Sequence, residues 1–196
     1  MWLKVLVSVI PAAVIGLFLD DIIEDYLSTP LVIAITLILY GVLFIVVERR
    51  KRTPKVTSIA QMSCNTALII GFCQVLAMIP GTSRSGATIL GAVLIGTSRE
   101  VAAEFSFFLA IPVMFGASLL RTVKYILENG FVFENGGGWI LLVGTAVSYI
   151  VSVFAIRFLM SYIRKHDFSV FGYYRIILGV IIILYFALTG NIIASV

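Results

Sequence analysis

Long apolar runs dominate the chain and alternate with short polar segments. Five of the runs come near the roughly 20 residues that a helix needs to cross the hydrocarbon of a bilayer. Two further runs contain only about 13 and 9 residues. The pattern therefore predicts about five transmembrane helices together with two shorter helices. The seven runs cover residues 3–19, 31–47, 67–79, 87–95, 105–120, 139–160 and 176–193.

The two short runs, 67–79 and 87–95, flank a polar, glycine-rich stretch at residues 80–86. Irregular backbone at membrane depth is tolerated only where protein covers it or where it lines a wet cavity. We therefore interpret residues 65–97 as a re-entrant helix–loop–helix whose tip stops partway into the membrane.

The composition agrees with this pattern, because 61% of the 196 residues are hydrophobic and only 12% are charged. One small water-soluble core could not bury that much apolar side chain, so lipid must cover the rest. The net charge of +4 does not indicate a nucleic-acid partner, since the Lys and Arg residues form short clusters between apolar runs. We expect one polytopic domain over residues 1–196, of the all-α integral membrane class.

Charge placement predicts the orientation of the chain. The basic residues at 49–55 and 164–166 mark cytoplasmic segments under the positive-inside rule, and the acidic segment 20–25 is then an external loop. A re-entrant path for residues 65–97 keeps both basic clusters on one side, whereas a single crossing would separate them. On this interpretation Asn135 and the C-terminus are external.

Arg84 is the residue with the clearest chemical implication. An arginine inside a membrane segment costs about 2.5 kcal/mol or more, so it needs an anion or water as a partner. Hydroxyl groups and glycines surround it, and a helix starting near Gly86 would add its first-turn amides. Such donors suit a phosphate or diphosphate. The candidate catalytic residues are Arg84 and Ser83, and the candidate substrate-binding residues are Gln74, Gly81, Thr82, Ser85, Gly86 and Thr88.

Simpler explanations exist for the same residues. Pro80 and Gly81 are also typical of a turn between two spans, in which case Arg84 would extend to the membrane interface. The amide of Gln74 could face the site or form a hydrogen bond between helices. The hydroxyl of Thr88 could contact phosphate or cap the backbone. The sequence leaves these alternatives open.

Two long motifs carry a resemblance to a known family. They are IGFCQVLAMIPGTSRSGAT at residues 70–88 and AEFSFFLAIP at residues 103–112, with further similarity in IPAAVIG at 10–16 and YRIILG at 174–179. In these motifs the chain resembles the undecaprenyl-diphosphate phosphatase family, the bacitracin-resistance type, over almost its whole length.

The resemblance implies an enzyme of the bacterial inner membrane that hydrolyses undecaprenyl diphosphate to the monophosphate and so recycles the lipid carrier for cell-wall synthesis. It implies that Arg84 binds diphosphate oxygens and stabilises the transferred phosphoryl group, with Ser83 as a hydrogen-bond donor in preference to a nucleophile. It also implies a divalent cation (Mg²⁺ or Ca²⁺) and a polyprenyl diphosphate lipid as partner, and it allows a homodimer.

One part of the family pattern is not found in this sequence. The family resembles an inverted repeat whose first half carries a glutamate-rich motif followed by serine and histidine, whereas the single histidine here, His166, lies in a basic loop. We therefore expect the chain to correspond to the second repeat plus the preceding spans, with the cation ligands in the other half. Glu104 and Arg175 are expected near the membrane surface, Arg175 as an interface anchor.

Two other functions agree with the same pattern. A polyprenyl-phosphate transporter or flippase would also use broken helices around a charged site. A catalytically inactive fragment would agree with the missing glutamate-rich motif. Release of phosphate from a prenyl diphosphate separates the enzyme from both.

Overall fold

A computed structural model of the protein describes residues 1–50, 53–130, 137–165 and 167–189, and most of these residues are helical. The predicted all-α class is confirmed. His166 and Asn135, on which parts of the predicted topology depend, lie outside the described residues. The helices are α1 (Trp2–Leu27), α2 (Pro30–Arg49), α3 (Cys64–Val75), α4 (Arg84–Leu94), α5 (Arg99–Asn129), α6 (Gly137–Lys165) and α7 (Ser169–Thr189), and a 3-10 turn (Leu76–Met78) follows α3.

Four of the helices are long and apolar enough to cross a membrane within the described part of the chain, namely α2, α5, α6 and α7. The fifth predicted span lies in α1, whose apolar part, Trp2–Gly16, is shorter. The acidic segment 20–25, predicted as a loop, instead forms the last turns of α1. The helices of the structure are longer than the apolar runs from which the spans were predicted. An apolar run marks only the part of a helix that lipid covers, and the helix itself continues into polar turns.

The described chain forms two compact units. The first contains Met1–Leu109 together with Asp167–Val196, and the second contains Ala110–His166. The first unit holds α1 to α4, the start of α5 and all of α7. The candidate site lies within it, while the expectation of a single membrane domain stays a prediction.

The α3–α4 hairpin begins and ends on the same side of the first unit, because the segments before α3 and after α4 are hydrogen-bonded to each other. The amides of Lys55 and Val56, before α3, donate to the carbonyl of Gly96 at 2.7 and 3.1 Å, and the amide of Ser98, after α4, donates to the carbonyl of Val56 at 2.8 Å. With 12 residues, α3 is about 18 Å long, too short to cross about 30 Å of hydrocarbon. The predicted helix–loop–helix is therefore confirmed, while its depth in a bilayer stays a prediction.

Several chain segments meet at this end of the first unit, which we call the basic end. Glu48 near the end of α2 forms a salt bridge with Arg99 at the start of α5. Lys4 of α1 donates to the carbonyls of Ile59 and Ala60 at 2.8 and 3.0 Å. The start of α1, the end of α2 and the start of α5 thus lie on one side, as the charge pattern predicts for the cytoplasmic side.

Helices α2 and α7 pack in close, antiparallel contact through small residues. An alanine methyl group at Gly172 would lie only 2.7 Å from the carbonyl oxygen of Gly41, and one at Gly179 only 2.8 Å from that of Ala34. Real Cβ atoms do not approach so closely, so these glycines allow the two backbones to touch, as small residues do in membrane bundles. They fix the register of α7 on α2.

The topology makes a direct labelling prediction. In a background without Cys64 and Cys73, we expect Ser28→Cys, in the turn between α1 and α2, to react with a membrane-impermeant thiol reagent added from outside intact cells. Arg50→Cys should react only after permeabilisation, because it follows α2 at the basic end. Labelling from outside at position 50 but not at position 28 would invert the orientation.

Candidate functional site

The tip of the hairpin, residues 79–83, is held against the first two turns of α2. The hydroxyl of Thr36 donates to the carbonyl of Pro80 at 2.7 Å. Gly81 has a φ of +85°. Its Cα is so close to α2 that a methyl group there would clash with the Oγ1 of Thr36 and lie 2.6 Å from the carbonyl oxygen of Ile33. Since Ile33 is three residues from the start of α2 at Pro30, the tip lies nearer that end than the basic end.

The amino end of α4 faces this tip. Ser83 is the N-cap, and its hydroxyl accepts from the amide of Gly86 at 3.3 Å. A second hydroxyl, that of Ser85, lies 3.3 Å from it. The first turn of α4 contains no acidic residue, and its first residue is the cation Arg84. Helix N-termini carry partial positive charge and are normally stabilised by acidic side chains or anions. The positive charge of Arg84 adds to that of the helix terminus, so this position favours a bound anion.

Two arginines contribute guanidinium groups with unused hydrogen-bonding capacity. The Nη1 atoms of Arg84 and Arg175 are both buried without a hydrogen-bond partner among the described residues. An alanine methyl group at Gly86 would lie 3.2 Å from Nη2 of Arg175 and 3.4 Å from Oγ of Ser83. Arg175, Gly86 and Ser83 are therefore neighbours at the tip. A buried donor without a partner is costly, and a phosphate oxygen would satisfy it.

Arg175 is the residue of this site whose neighbours could not be predicted from the sequence. It lies in the second turn of α7, which begins at Ser169, and its expected place near the membrane surface stays a prediction. It shares a face of α7 with Gly172 and Gly179, the residues that contact α2. The spacing of Gly172, Arg175 and Gly179 on one helical face was the signal available in the sequence.

Two uncharged polar groups near the tip are also buried. Gln74, two residues before the 3-10 turn, is 3% exposed, and Thr82 is fully buried. The Oε1 of Gln74 and the Oγ1 of Thr82 have no hydrogen-bond partner in the described part of the chain. Buried polar groups are normally satisfied, so both are available to a ligand or to water. Their substrate-binding role stays a prediction.

Thr88 has a different environment. Its hydroxyl lies 2.7 Å from the hydroxyl of Ser106 on α5 and 3.0 Å from the carbonyl oxygen of Arg84. Only 1% of its surface is exposed. The structure thus places Thr88 at a helix–helix contact that positions the start of α4, and leaves direct contact with a phosphate as a prediction.

The described residues do not contain a group of three or more His, Cys, Asp or Glu side chains that could hold a metal ion. Glu104 and Glu100 line a surface pocket with Thr57, Ser58 and Ala60, in the segment that packs at the basic end. They are therefore not part of the tip. The divalent cation that the family resemblance implies stays a prediction.

Together these features define a multi-pass α-helical membrane protein in which Arg175 of α7 lies beside the hairpin tip that carries Arg84. The chain belongs to the family described as Bacitracin resistance protein BacA, which it matches over residues 1–181. It is 56% identical over 188 residues to the Undecaprenyl-diphosphatase of Acetivibrio thermocellus, covering 95% of this chain and 68% of the relative.

Other relatives agree. The Undecaprenyl-diphosphatase of Enterococcus faecalis is 56% identical over 94% of this chain and 66% of its own length. The Undecaprenyl-diphosphatase of Limosilactobacillus fermentum is 55% identical over 97% of this chain and 70% of its own length. The chain therefore spans about two thirds of the length of the curated relatives it matches. The family expected from the two motifs is confirmed.

Proposed function

We propose that this chain supplies the diphosphate-binding hairpin of an undecaprenyl-diphosphatase, which hydrolyses undecaprenyl diphosphate to undecaprenyl monophosphate and phosphate. The names of its relatives support the substrate and the reaction. The observation that carries the proposal is the pair of buried, unpartnered Nη1 atoms of Arg84 and Arg175 beside the amino end of α4. A diphosphate has the charge and the oxygen atoms that this arrangement lacks.

Each group at the tip has a distinct part in this reaction. The guanidinium of Arg84 binds diphosphate oxygens and stabilises the charge that develops on the transferred phosphoryl group. Arg175, which lies on α7, also binds the diphosphate. The hydroxyl of Ser83, with its neighbour Ser85, orients the phosphate and does not act as nucleophile. Its described hydrogen bonds go to Gly86 and Ser85, and neither is a base that could remove its proton.

The position of the tip supports access from the outer side of the membrane. It contacts α2 near Pro30, at the opposite end from Arg49 and Arg99. If the basic end is cytoplasmic, the phosphates reach the site from the external half of the bilayer, while the prenyl chain stays in the hydrocarbon. We place the protein in the bacterial inner membrane.

Three further expectations belong to this proposal. The reaction uses Mg²⁺ or Ca²⁺, which neutralises part of the diphosphate charge when bound and whose ligands lie outside the described residues. The protein can form a homodimer. It does not bind nucleic acid, because its basic residues border apolar helices.

The test is a chimera in which this chain replaces the matched 188 residues of the Acetivibrio thermocellus relative. We expect the purified chimera to release phosphate from undecaprenyl diphosphate in a metal-dependent reaction. We expect the 196-residue chain alone to release little, since its sequence lacks the glutamate-rich motif of the family pattern and the described hydrogen bonds of Ser83 involve no base.

The outcomes separate the candidate functions. A chimera that moves the lipid between leaflets without hydrolysis would support a transporter, and a chimera with neither activity would overturn the proposal. Robust turnover by the chain alone would contradict the second expectation. In that case Glu100 and Glu104 become the first carboxylates to test.

A further inference from the structure

The back of the Arg175 guanidinium is covered by an aromatic ring. Its Cζ lies over the ring of Phe44, 5.7 Å from the centroid. This is within the roughly 6 Å at which the negative face of an aromatic ring attracts a guanidinium. Phe44 is only 5% exposed, so water does not screen the contact on that side. Within the described part of the chain Arg175 forms no salt bridge.

The antiparallel register of α2 and α7 allows these two side chains to meet. Gly41 contacts Gly172, and Phe44 and Arg175 lie three residues beyond that contact in opposite directions along the helix pair, on the same faces as the glycines. Side chains on a helix tilt toward its N-terminus, so Phe44 and Arg175 lean toward each other across the glycine contact. The ring of Phe168, 6.0 Å from that of Phe44, packs on it in turn. The packing of Phe168 therefore helps to hold the ring of Phe44 in place, while the contact between Gly41 and Gly172 fixes where this ring lies relative to α7.

The guanidinium of Arg175 thus has two kinds of neighbour. Its Cζ lies over the ring of Phe44, and its Nη2 lies next to Gly86 and Ser83 at the amino end of α4. An arginine side chain has about 2 kcal/mol of rotamer entropy, which must be lost before its planar fork can bind a phosphate. A ring that holds the guanidinium in advance lowers the cost of that ordering when the ligand binds.

We propose that Phe44 is a positioning residue for the anion site: its ring holds the Arg175 guanidinium against the amino end of α4 and so strengthens diphosphate binding without touching the ligand. The proposal rests on the proposed function only in that the tip binds a diphosphate. It does not require this chain to complete the hydrolysis.

The experiment measures binding of inorganic diphosphate to the purified 196-residue chain in detergent by calorimetry. The variants are Phe44→Leu and Phe44→Met, which keep an apolar side chain but remove the ring, and Phe44→Tyr, which keeps the ring. We expect the Kd to rise about fivefold in the first two, in line with the strength of a partly desolvated cation–π contact. The Kd of Phe44→Tyr should stay within about twofold of wild type.

The matched control is Phe108→Leu, which removes a ring that packs edge-on against Trp2 at 5.9 Å and faces no guanidinium in the described structure. It should leave the Kd unchanged. Each variant is also combined with Arg175→Ala. If Phe44 acts through Arg175, Phe44→Leu and Phe44→Met should have no further effect in that background, whereas a general packing defect would persist.

The possible failures are distinguishable. Absence of diphosphate binding by the wild-type chain would overturn the anion site, and with it both proposals. Binding by wild type that is equally tight in Phe44→Leu and Phe44→Met would overturn the role of Phe44 alone. So would an effect of equal size with and without Arg175. Thermal unfolding of each variant shows which of the two ring-removing substitutions leaves the fold intact.

Discussion

Replacing Arg84 with alanine in the chimeric enzyme is expected to lower phosphate release about a thousandfold, the usual loss when a positioned transition-state donor or arginine is removed. The physical reason is that its Nη1 is buried without a partner in the described structure, so the side chain is poised for a ligand and contributes little to the fold. Arg84→Lys should recover only part of the activity, because an ammonium keeps the charge but not the planar fork.

Phosphate release and thermal unfolding measured together test this expectation. Arg121→Ala is the control, because Arg121 is an exposed arginine of α5. It should retain wild-type turnover. If Arg84→Ala is nearly as active as wild type, Arg84 extends to the interface and the tip is only a turn. If Arg84→Ala unfolds at a much lower temperature, its role is structural.

Gly81→Ala is expected to be the most damaging substitution for the fold of the tip. The new methyl group would clash with the Oγ1 of Thr36 and lie 2.6 Å from the backbone carbonyl oxygen of Ile33, at a φ of +85° that alanine rarely adopts. We expect a loss of about 2–4 kcal/mol in unfolding free energy, from backbone strain plus overpacking. Turnover should be lost as well, because the loop carrying Ser83 and Arg84 must move away from α2.

Denaturant unfolding of Gly81→Ala and Gly116→Ala tests this. Gly116 lies inside α5 with open space around its Cα, so alanine there should be neutral or stabilising by about 0.5–1 kcal/mol. Adding Thr36→Ala to Gly81→Ala should restore only part of the stability, because the clash with the backbone of Ile33 remains. Wild-type stability and turnover in Gly81→Ala would contradict the contact between tip and α2.

The hairpin and Arg84 could be predicted because their signals are local. Two apolar runs too short to cross, separated by Pro80 to Gly86, already imply a chain that turns back. A single arginine among hydroxyls and glycines likewise implies an anion. The starts of α5 and α7 could not be predicted in this way, because charged residues in their first two turns interrupt the apolar runs from which the spans were predicted.

Arg175 could not be assigned from sequence because its position depends on contacts between distant segments. Its guanidinium reaches Gly86 only because Gly172 and Gly179 let α7 approach α2, and nothing near Arg175 in the sequence records that distance. The environment of Thr88 is similar. Its hydrogen bond to Ser106 depends on how α4 packs on α5, so the sequence left its role open between phosphate contact and backbone capping.

Helix α2 touches both arginine-bearing parts of the site, the tip through Ile33 and Thr36 and the Arg175 side chain through Phe44. When a bilayer thickens or thins, helices tilt to match it. Since one helix carries both contacts, such a tilt moves the two guanidinium groups together and preserves the spacing between them. On the proposed function, the spacing of the two arginines at the site then stays constant when the thickness of the bilayer changes. Turnover should therefore depend little on the acyl-chain length of the surrounding lipid.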